Sequence, residues 1–336
     1  MTNNQCRHAE RSEASLSGRL RRWQALCLAV VLIALLPAPA MAELNRHVRV
    51  LAPSAPERGL TFIAELGNAP FPVAPDAVDH RGQPFWHGQD PAHGERFRQL
   101  DENRRFTEDA VYSDARVLFH AARGFDPAKP FRIVLFLHGH GSEIETTVAR
   151  HLDLPGQLDR AGVNAVLIAP QLALRAQESA PGKFVEPGRA AAFMDEATGV
   201  LRASLGGDEA AWRRAPIVIA AYSGGYRAAG QVVSRGGLDA RIEGLIMLDA
   251  FFADAGIYAS WLARHRQRAF LYALFTRSSV EETTLLKTEL MERNLAYATR
   301  DDGGPLAGIR LIELDIGHGE VAVKDEPLGA LLRRLP

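Results

Sequence analysis

From residue 114 onward, short continuous apolar runs alternate with longer segments of helical apolar spacing. A run that is apolar on both faces, such as 131–137, is typical of an inner strand in a sheet covered by helices. The predicted strands are 115–121, 131–137, 164–169, 217–222, 245–248, 270–275 and 309–314, and the predicted helices are 144–161, 188–205, 224–234 and 281–297. This alternation predicts an α/β fold with a mostly parallel sheet, in which ligands bind at the carboxyl ends of the strands.

The chain before residue 114 has a weaker pattern. Residues 48–72 hold short apolar runs among Pro and Gly, and residues 76–108 are mainly polar. Such composition favours turns and loops over long regular elements. We therefore expect an N-terminal extension with edge strands at 43–113, before a core domain at 114–336. Within the extension, the polar segment is predicted to form surface loops around an edge hairpin.

The first 42 residues have the three parts of a secretory signal peptide. The positive region contains Arg19, Arg21 and Arg22, and the apolar run spans residues 25–36. The small-x-small ending is Ala40-Met41-Ala42. The apolar run is about half the length of a membrane-spanning helix. Cleavage after Ala42 and export to the periplasm or the medium are therefore favoured over an uncleaved anchor. The mature chain is then expected to have no stable membrane insertion.

Composition and charge narrow the classes of function. The 336 residues are 47% hydrophobic, which is ample for a sizeable core. Lys and Arg number 39 and Asp and Glu number 40, a net charge of -1, so the balance gives no electrostatic reason to expect a nucleic-acid partner. Both cysteines, Cys6 and Cys27, lie in the predicted signal peptide. A cysteine nucleophile and a thiolate metal site are thus excluded for the mature form.

A buried strand, 217–222, runs directly into Ser223-Gly224-Gly225 and then into a predicted helix. The pattern G-x-S-x-G marks a nucleophile elbow, in which small residues let a strand and a helix pass close to a Ser on a strained turn. Here the first position is Ala221, which is larger than Gly by a methyl group. The pattern favours a nucleophilic Ser223, and a Ser that only caps the helix is the structural alternative.

The chain from about residue 114 to residue 321 resembles the α/β-hydrolase superfamily, in its esterase, lipase and serine-peptidase range. The resemblance rests on three segments in the order of the superfamily, namely 131–141, 221–225 and 317–319. It implies a central sheet with helices on both faces and a serine hydrolase that needs no cofactor and no metal. The implied partner is a small-molecule or acyl substrate.

The first of these segments ends in the letters HGHG at 138–141. In the superfamily, an HG-x sequence after the third strand supplies one donor of the oxyanion hole, and the residue after the nucleophile supplies the other. The resemblance therefore assigns these roles to the backbone N–H groups of His140 and Gly224. Two alternatives stay open: a metal site made by His138 and His140, which share one face of a strand, and two surface histidines.

The last segment places His318 between two Gly residues after the final predicted strand, where the superfamily keeps its general base. The usual place of the acid, here 275–282, contains no Asp. The predicted strand 245–248 instead runs into Asp249, a position that some members of the superfamily use for the acid. Asp249 is therefore the expected acid that orients His318, with Asp254 and Glu281 as the reserves. Asp249 as a helix cap is the structural alternative.

The candidate substrate contacts are aromatic. Tyr222 beside the nucleophile, and Phe251 with Phe252 after the acid, are candidates for lining an apolar acyl pocket, with core packing as the alternative. The stretch 171–187 is expected to form one wall of the cleft. The short link between the predicted strands 245–248 and 270–275 indicates no large lid. The expected function is that of a carboxylesterase that works through an acyl-enzyme. An amidase or peptidase with the same triad, and a non-catalytic binding protein, are the alternatives.

Overall fold

The computed structural model describes residues 49–51 and 59–335 of the chain. The predicted signal peptide, residues 1–42, lies outside the described residues, and its cleavage and the export of the mature chain stay predictions. Among the helices of the described ranges, none is both long enough and apolar enough to cross a membrane.

Twelve strands are present in the described ranges: β1 (Arg49–Val50), β2 (Leu60–Glu65), β3 (Gly88–Gln89), β4 (Arg96–Gln99), β5 (Arg105–Thr107), β6 (Arg116–Ala121), β7 (Arg132–Leu137), β8 (Ala165–Pro170), β9 (Ile217–Tyr222), β10 (Ile242–Leu248), β11 (Phe270–Phe275) and β12 (Ile309–Glu313). Nine of them form the central sheet, in the order β1-β2-β6-β8-β7-β9-β10-β11-β12. The pairs from β8 to β12 are parallel, and β1, β2 and β6 run antiparallel to their neighbours. The predicted mostly parallel sheet is confirmed.

The α-helices of the described ranges are α1 (Leu154–Ala161), α2 (Arg189–Leu205), α3 (Glu209–Arg214), α4 (Tyr226–Arg235), α5 (Ala255–His265), α6 (Val280–Glu292) and α7 (Pro327–Leu332). Short 3₁₀ turns occupy Gly182–Val185, Ser223–Gly225 and His318–Glu320. The connection from β10 to β11 contains a single helix, α5. It therefore carries no large lid, as the sequence predicts.

Alternate residues of the inner strands face two layers of helices. Phe136 of β7 and Ala220 of β9 belong to one buried cluster with leucines of α1 and α7. Ile219, one position earlier on β9, faces the other side of the sheet, where α4 packs against β7 and β9. Burying one Leu, Ile or Phe side chain contributes roughly 1.5–3 kcal/mol. Burial on both faces thus makes the sheet a firm support for the residues at its carboxyl edge.

The continuous helix predicted at 144–161 is wrong. Ile144–His151 winds as a wider π-helical segment, and α1 begins only at Leu154. Asp153 between them has a left-handed φ of 45°. Pro155 stands in the first turn of α1, where its missing N–H costs little, whereas inside a longer helix its ring would clash with the preceding turn.

The segment 76–108 is more than surface loops around an edge hairpin. Its strands β3, β4 and β5 form an antiparallel sheet of their own, separate from the central sheet. The segment carries buried aromatic rings: Phe85 lies edge-on to Trp86 and to Tyr112, with ring centroids 4.9 and 5.1 Å apart. Edge-to-face aromatic pairs stabilise beyond their buried area. The segment is therefore packed structure, which corrects the prediction.

Candidate active site

Ser223 stands at the sharp turn between β9 and α4. Its φ of 51° lies in the left-handed region that residues other than Gly adopt at a cost. Gly225 touches β7 so closely that a Cβ there would lie 2.1 Å from the carbonyl oxygen of Leu137. A Cβ on Gly139 would lie 2.7 Å from the Cβ of Ser223. The close approach of these backbones therefore requires Gly at both positions.

The structure brings Ser223, His318 and Asp249 together in one hydrogen-bonded chain. The Oγ of Ser223 lies 2.8 Å from Nε2 of His318, and Nδ1 of the same ring lies 2.7 Å from Oδ2 of Asp249. When Nδ1 carries the proton and donates it to the carboxylate, Nε2 is left as an acceptor for the serine hydroxyl. The hydroxyl of Ser223 is thus directed at the imidazole and not at a helix N–H, which disfavours the capping alternative.

The carboxylate of Asp249 is fully buried and well supplied with donors. Besides His318, it accepts from the N–H of Thr276 at 2.9 Å, from Oγ1 of Thr276 at 2.6 Å, and from Oγ of Ser279. Burial raises the pKa of a carboxyl, but the hydrogen bonds from His318, Ser279 and Thr276 outweigh it and lower the pKa of Asp249 below its ordinary value. Asp249 is therefore ionised at neutral pH.

The two reserve acids lie elsewhere. Asp254 precedes α5 with a left-handed φ of 70°, and its Oδ2 is 3.7 Å from Nε of Arg227. Glu281 is exposed in the first turn of α6. Since Nδ1 of His318 is bonded to Asp249, the structure joins the expected acid, and neither reserve, to the imidazole.

The two predicted oxyanion donors lie on adjoining segments. A Cβ on Gly224 would come within 2.3 Å of Cδ2 of His140, so the imidazole of His140 covers the start of the turn. The first N–H groups of a helical turn have no partner within it. In the part of the chain that the structure describes, the backbone N–H groups of His140 and Gly224 have no acceptor. Both N–H groups are thus free for a ligand.

His138 is a buried structural residue. Its Nε2 accepts the N–H of Leu172 at 2.8 Å, and its Nδ1 lies 2.9 Å from the carbonyl oxygen of Gly139. Burial lowers the pKa of His138 to about 4, so the ring is neutral. Because both ring nitrogens are engaged, the alternative of a metal site with His140 is disfavoured. The described residues also contain no cluster of three or more His, Cys, Asp or Glu that could hold a metal ion.

Comparisons with known proteins give similarity in structure alone. No protein-family model matches the sequence, and no curated protein matches it. A feruloyl esterase module from Clostridium thermocellum is similar with a TM-score of 0.46 and 12% identity, over 80% of this chain and 94% of that one. An S-formylglutathione hydrolase from Agrobacterium tumefaciens has a TM-score of 0.48 and 9% identity, over 86% and 100%. A carboxylesterase cloned from a metagenomic library has a TM-score of 0.43 and 13% identity, over 74% and 92%.

The order of the strands decides the fold. After antiparallel strands at one edge, β8 and β7 exchange places relative to their order in the chain, and β9 to β12 then follow in sequence. The Ser turn follows β9, and His318 follows β12. The chain has the α/β-hydrolase fold. As in other sheets of this kind, the site lies at the carboxyl ends of the parallel strands.

Within this α/β-hydrolase fold, two aromatic rings flank His318. The ring of Tyr222 is stacked on the imidazole at 5.3 Å between centroids, and Phe252, which is 39% exposed, lies edge-on at 5.7 Å. Phe251 is only 1% exposed and packs edge-on against Tyr258. The expectation that Phe251 lines the pocket is therefore corrected: it is a core residue, and its neighbour Phe252 reaches the site.

A polar cavity of about 330 Å³ opens beside His140. Its walls come from residues 79–81 and 177–180, from the first residues of α4, and from Arg98, Leu100 and Arg104. The predicted cleft wall at 171–187 thus contributes through 177–180. The contribution of the small sheet has no motif in the sequence that could have indicated it, because the segments meet only through tertiary packing.

Buried polar contacts hold the walls of this cavity together. Glu178 accepts from Nε of Arg98 at 2.6 Å and from the hydroxyl of Tyr112. At the next residue of the same wall, Oγ of Ser179 lies 2.6 Å from Nε2 of His140. Burial, and next the positive charge of Arg104, lower the pKa of His140. A neutral His140 therefore links the cavity to the turn that holds the serine.

Proposed function

We propose that the protein is a serine hydrolase that cleaves carboxylic esters through an acyl-enzyme. The observation that carries this proposal is the hydrogen-bonded chain from Ser223 through His318 to Asp249, with distances of 2.8 and 2.7 Å. A serine hydroxyl is a weak nucleophile on its own, and a neutral imidazole within hydrogen-bond reach activates it as a general base.

In acylation, the acyl group of the ester is transferred to Ser223. Oγ of Ser223 attacks the carbonyl carbon of the ester while its proton passes to Nε2 of His318. The tetrahedral intermediate then collapses: the bond to the leaving alkoxide breaks, and the alkoxide takes the proton from His318. The alcohol leaves, and the acyl group remains on Ser223 as an ester.

Deacylation repeats the steps with water. His318 removes a proton from water, whose oxygen attacks the acyl carbonyl, and returns that proton to Oγ as the acid is released. Asp249 accepts from Nδ1 throughout, so the ring keeps one tautomer and its transient positive charge is stabilised. The ionised state of Asp249 suits this role.

The oxyanion of both tetrahedral intermediates is assigned to the backbone N–H groups of His140 and Gly224. Two fixed donors aimed at charge that develops only in the transition state lower the barrier, and the loss of one such donor costs roughly 3–4 kcal/mol. Free N–H groups on two adjoining segments, with Gly224 directly after the serine, support this assignment.

The first test is hydrolysis of p-nitrophenyl acetate by the mature chain and by Ser223→Ala. Because members of a triad act as a unit, kcat is expected to fall by up to about a millionfold in the variant. Ser234→Ala on α4 is the matched control, since this hydroxyl bonds only the backbone of its own helix, at Gln231. The kcat of this control for p-nitrophenyl acetate should equal that of the wild type.

The same assay separates the alternatives. An ester and its matched anilide, offered side by side, measure the preference between ester and amide bonds, and the proposal expects the ester to be cleaved faster. Equal turnover by wild type and Ser223→Ala would remove the serine from the mechanism. No turnover of any activated ester would favour a non-catalytic binding protein.

A further inference from the structure

We propose that the polar cavity beside His140 binds an anionic group, a carboxylate or a phosphate, that the ester substrate carries. This inference rests on the proposed function, because it names the class of substrate for the same site. The cavity and the serine share a wall: the ring of His140 covers Gly224 on one side and bonds Ser179 on the other. A group held in the cavity is therefore close enough to belong to the reacting molecule.

Four arginines line the cavity: Arg81, Arg98, Arg104 and Arg227. The guanidinium of Arg81 has no hydrogen-bond or ion-pair partner among the described residues. Arg227 is engaged: it donates to Nε2 of His80 at 2.5 Å and to the hydroxyl of Tyr226 at 2.7 Å. Its Nε lies 3.7 Å from Oδ2 of Asp254. Guanidinium groups are always charged and bind carboxylate and phosphate oxygens through paired N–H donors. Arg81 thus gives the cavity unused donors of the right kind.

Arg104 stands at the rim of the cavity. It is half-exposed and pairs with Asp101, which is also half-exposed, at 2.5 Å. Such exposed ion pairs contribute little to stability. An incoming anion can therefore replace Asp101 as the partner of Arg104 at small cost. Arg104 is also close enough to His140 to lower its pKa, which places its charge near the proposed oxyanion site.

The acidic residues of the cavity are already engaged. Oδ1 of Asp79 accepts the N–H groups of Arg81 and Gln83, and its Oδ2 lies 3.6 Å from Arg98. The two oxygens of Glu178 accept from Arg98 and from a tyrosine hydroxyl. These two carboxylates thus share Arg98 and local donors. Arg81 and the half-exposed Arg104 are left as the charges that a ligand meets.

The histidines of the cavity add no charge at neutral pH. Burial, and next the charge of Arg227, lower the pKa of His80 to about 4. Burial also lowers the pKa of His140. Both rings are then neutral hydrogen-bonding groups, and the positive charges of the cavity are those of guanidinium groups, which stay charged at every working pH.

Two matched pairs of esters test this inference. Phenyl hexanoate carries a methyl group where monophenyl adipate carries a carboxylate, which probes the acyl side. Phenyl acetate against 4-acetoxybenzoate probes the leaving group. In one of the two pairs, kcat/KM for the anionic ester should exceed that for the neutral one by about tenfold, the effect of one hydrogen bond to a charged group. The pair that responds identifies the side of the ester that enters the cavity.

Variants assign the preference to the cavity. Arg227→Gln, and separately the double variant Arg81→Gln with Arg104→Gln at exposed positions, should each lower the ratio of anionic to neutral kcat/KM severalfold. Arg105→Gln is the matched control, because this arginine of the same small sheet lies over the ring of Phe97, outside the cavity. It should leave the ratio unchanged.

The outcomes are distinct. If neutral esters are hydrolysed and neither pair favours its anionic member, the inference is overturned while the proposed function stands. A ratio that is the same in the wild type and in both cavity variants overturns it as well. If no ester is hydrolysed at all, the proposed function fails and this inference fails with it.

Discussion

Tyr222 holds His318 at two points. Its ring is stacked on the imidazole, with 5.3 Å between centroids and 17° between planes, and its hydroxyl donates to the backbone carbonyl of His318 at 3.3 Å. His318 begins the short 3₁₀ turn after the last strand, and its ring also contacts Asp249 and Phe252. The residue before the serine therefore positions the proposed base from the β9 side.

This relationship predicts a difference between two variants. Tyr222→Phe keeps the stacked ring and loses only a long hydrogen bond, so kcat should stay within about threefold of the wild type. Tyr222→Ala removes the stacking surface, and kcat should fall by about tenfold or more with KM changed much less, because a small misplacement of a catalytic group is costly. Equal kcat values for the two variants would show that the ring does not position His318.

The role of Asp249 is tested by Asp249→Asn. An amide can donate to Nδ1 and select the wrong imidazole tautomer, which in trypsin-like enzymes lowers kcat about 10⁴-fold. We expect a loss of the same order in p-nitrophenyl acetate hydrolysis. Glu281→Gln is the control, since this exposed carboxylate in α6 has no contact with His318 and should be near wild type. A large loss of kcat in Glu281→Gln with a small loss in Asp249→Asn would assign the acid to Glu281 instead of Asp249.

Two glycines predict opposite effects of the same substitution. Gly225→Ala puts a Cβ 2.1 Å from the carbonyl oxygen of Leu137, so backbones must separate, and the free energy of unfolding should fall by about 1–3 kcal/mol. The Cβ that Gly199→Ala adds on helix α2 meets no atom within 4 Å. This variant should raise the free energy of unfolding by roughly 0.5–1 kcal/mol. Urea unfolding of both variants measures the signs, and destabilisation of equal size would contradict this packing.

The buried histidines predict a loss of stability in acid. The pKa of His138 is about 4 in the folded protein and about 6.5 in the unfolded chain, so between these values the unfolded chain binds a proton that the folded one does not. The free energy of unfolding should therefore fall as the pH drops from about 6.5 towards 4. His80, with a folded pKa also of about 4, adds an effect of the same sign.

The measurement is urea unfolding of the wild type and His138→Gln at a series of pH values from 5 to 8. Because the variant lacks one titrating group, its free energy of unfolding should fall less steeply as the pH decreases. The two slopes should differ by up to about 1.4 kcal/mol per pH unit. Above pH 7, the free energies of unfolding of the wild type and the variant should change with pH in the same way. Equal slopes between pH 5 and pH 6.5 would show that His138 is not held neutral by the fold.

The features that the sequence indicates most directly are those with a local cause. Ser223 was indicated because the turn itself needs small residues at fixed positions, and the contacts of Gly225 with β7 show why. The apolar runs predicted the inner strands, because a strand covered on both faces has no polar side. Asp249 and His318 were expected from their places after strands, and the structure brings them together.

The rest depends on contacts between distant segments. The cavity joins the small sheet, the wall at 177–180 and α4, which have no shared pattern in the chain. Phe251 and Phe252 were not distinguishable, because the chain turns at Asp249 with a φ of 46° and the alternation of a strand ends there. The helix predicted through Pro155 failed because helical apolar spacing continued across a break in the backbone.

The most direct test of the central claim is to label the protein with a fluorophosphonate and to map the adduct by mass spectrometry. The reagent gives up fluoride when an activated serine oxygen attacks its phosphorus, so it reports on the nucleophile itself. We predict one adduct, on Ser223, that is absent in Ser223→Ala and much slower to form in His318→Ala. An adduct on another residue would contradict the account. So would ester hydrolysis that continues after treatment with the reagent when no adduct has formed.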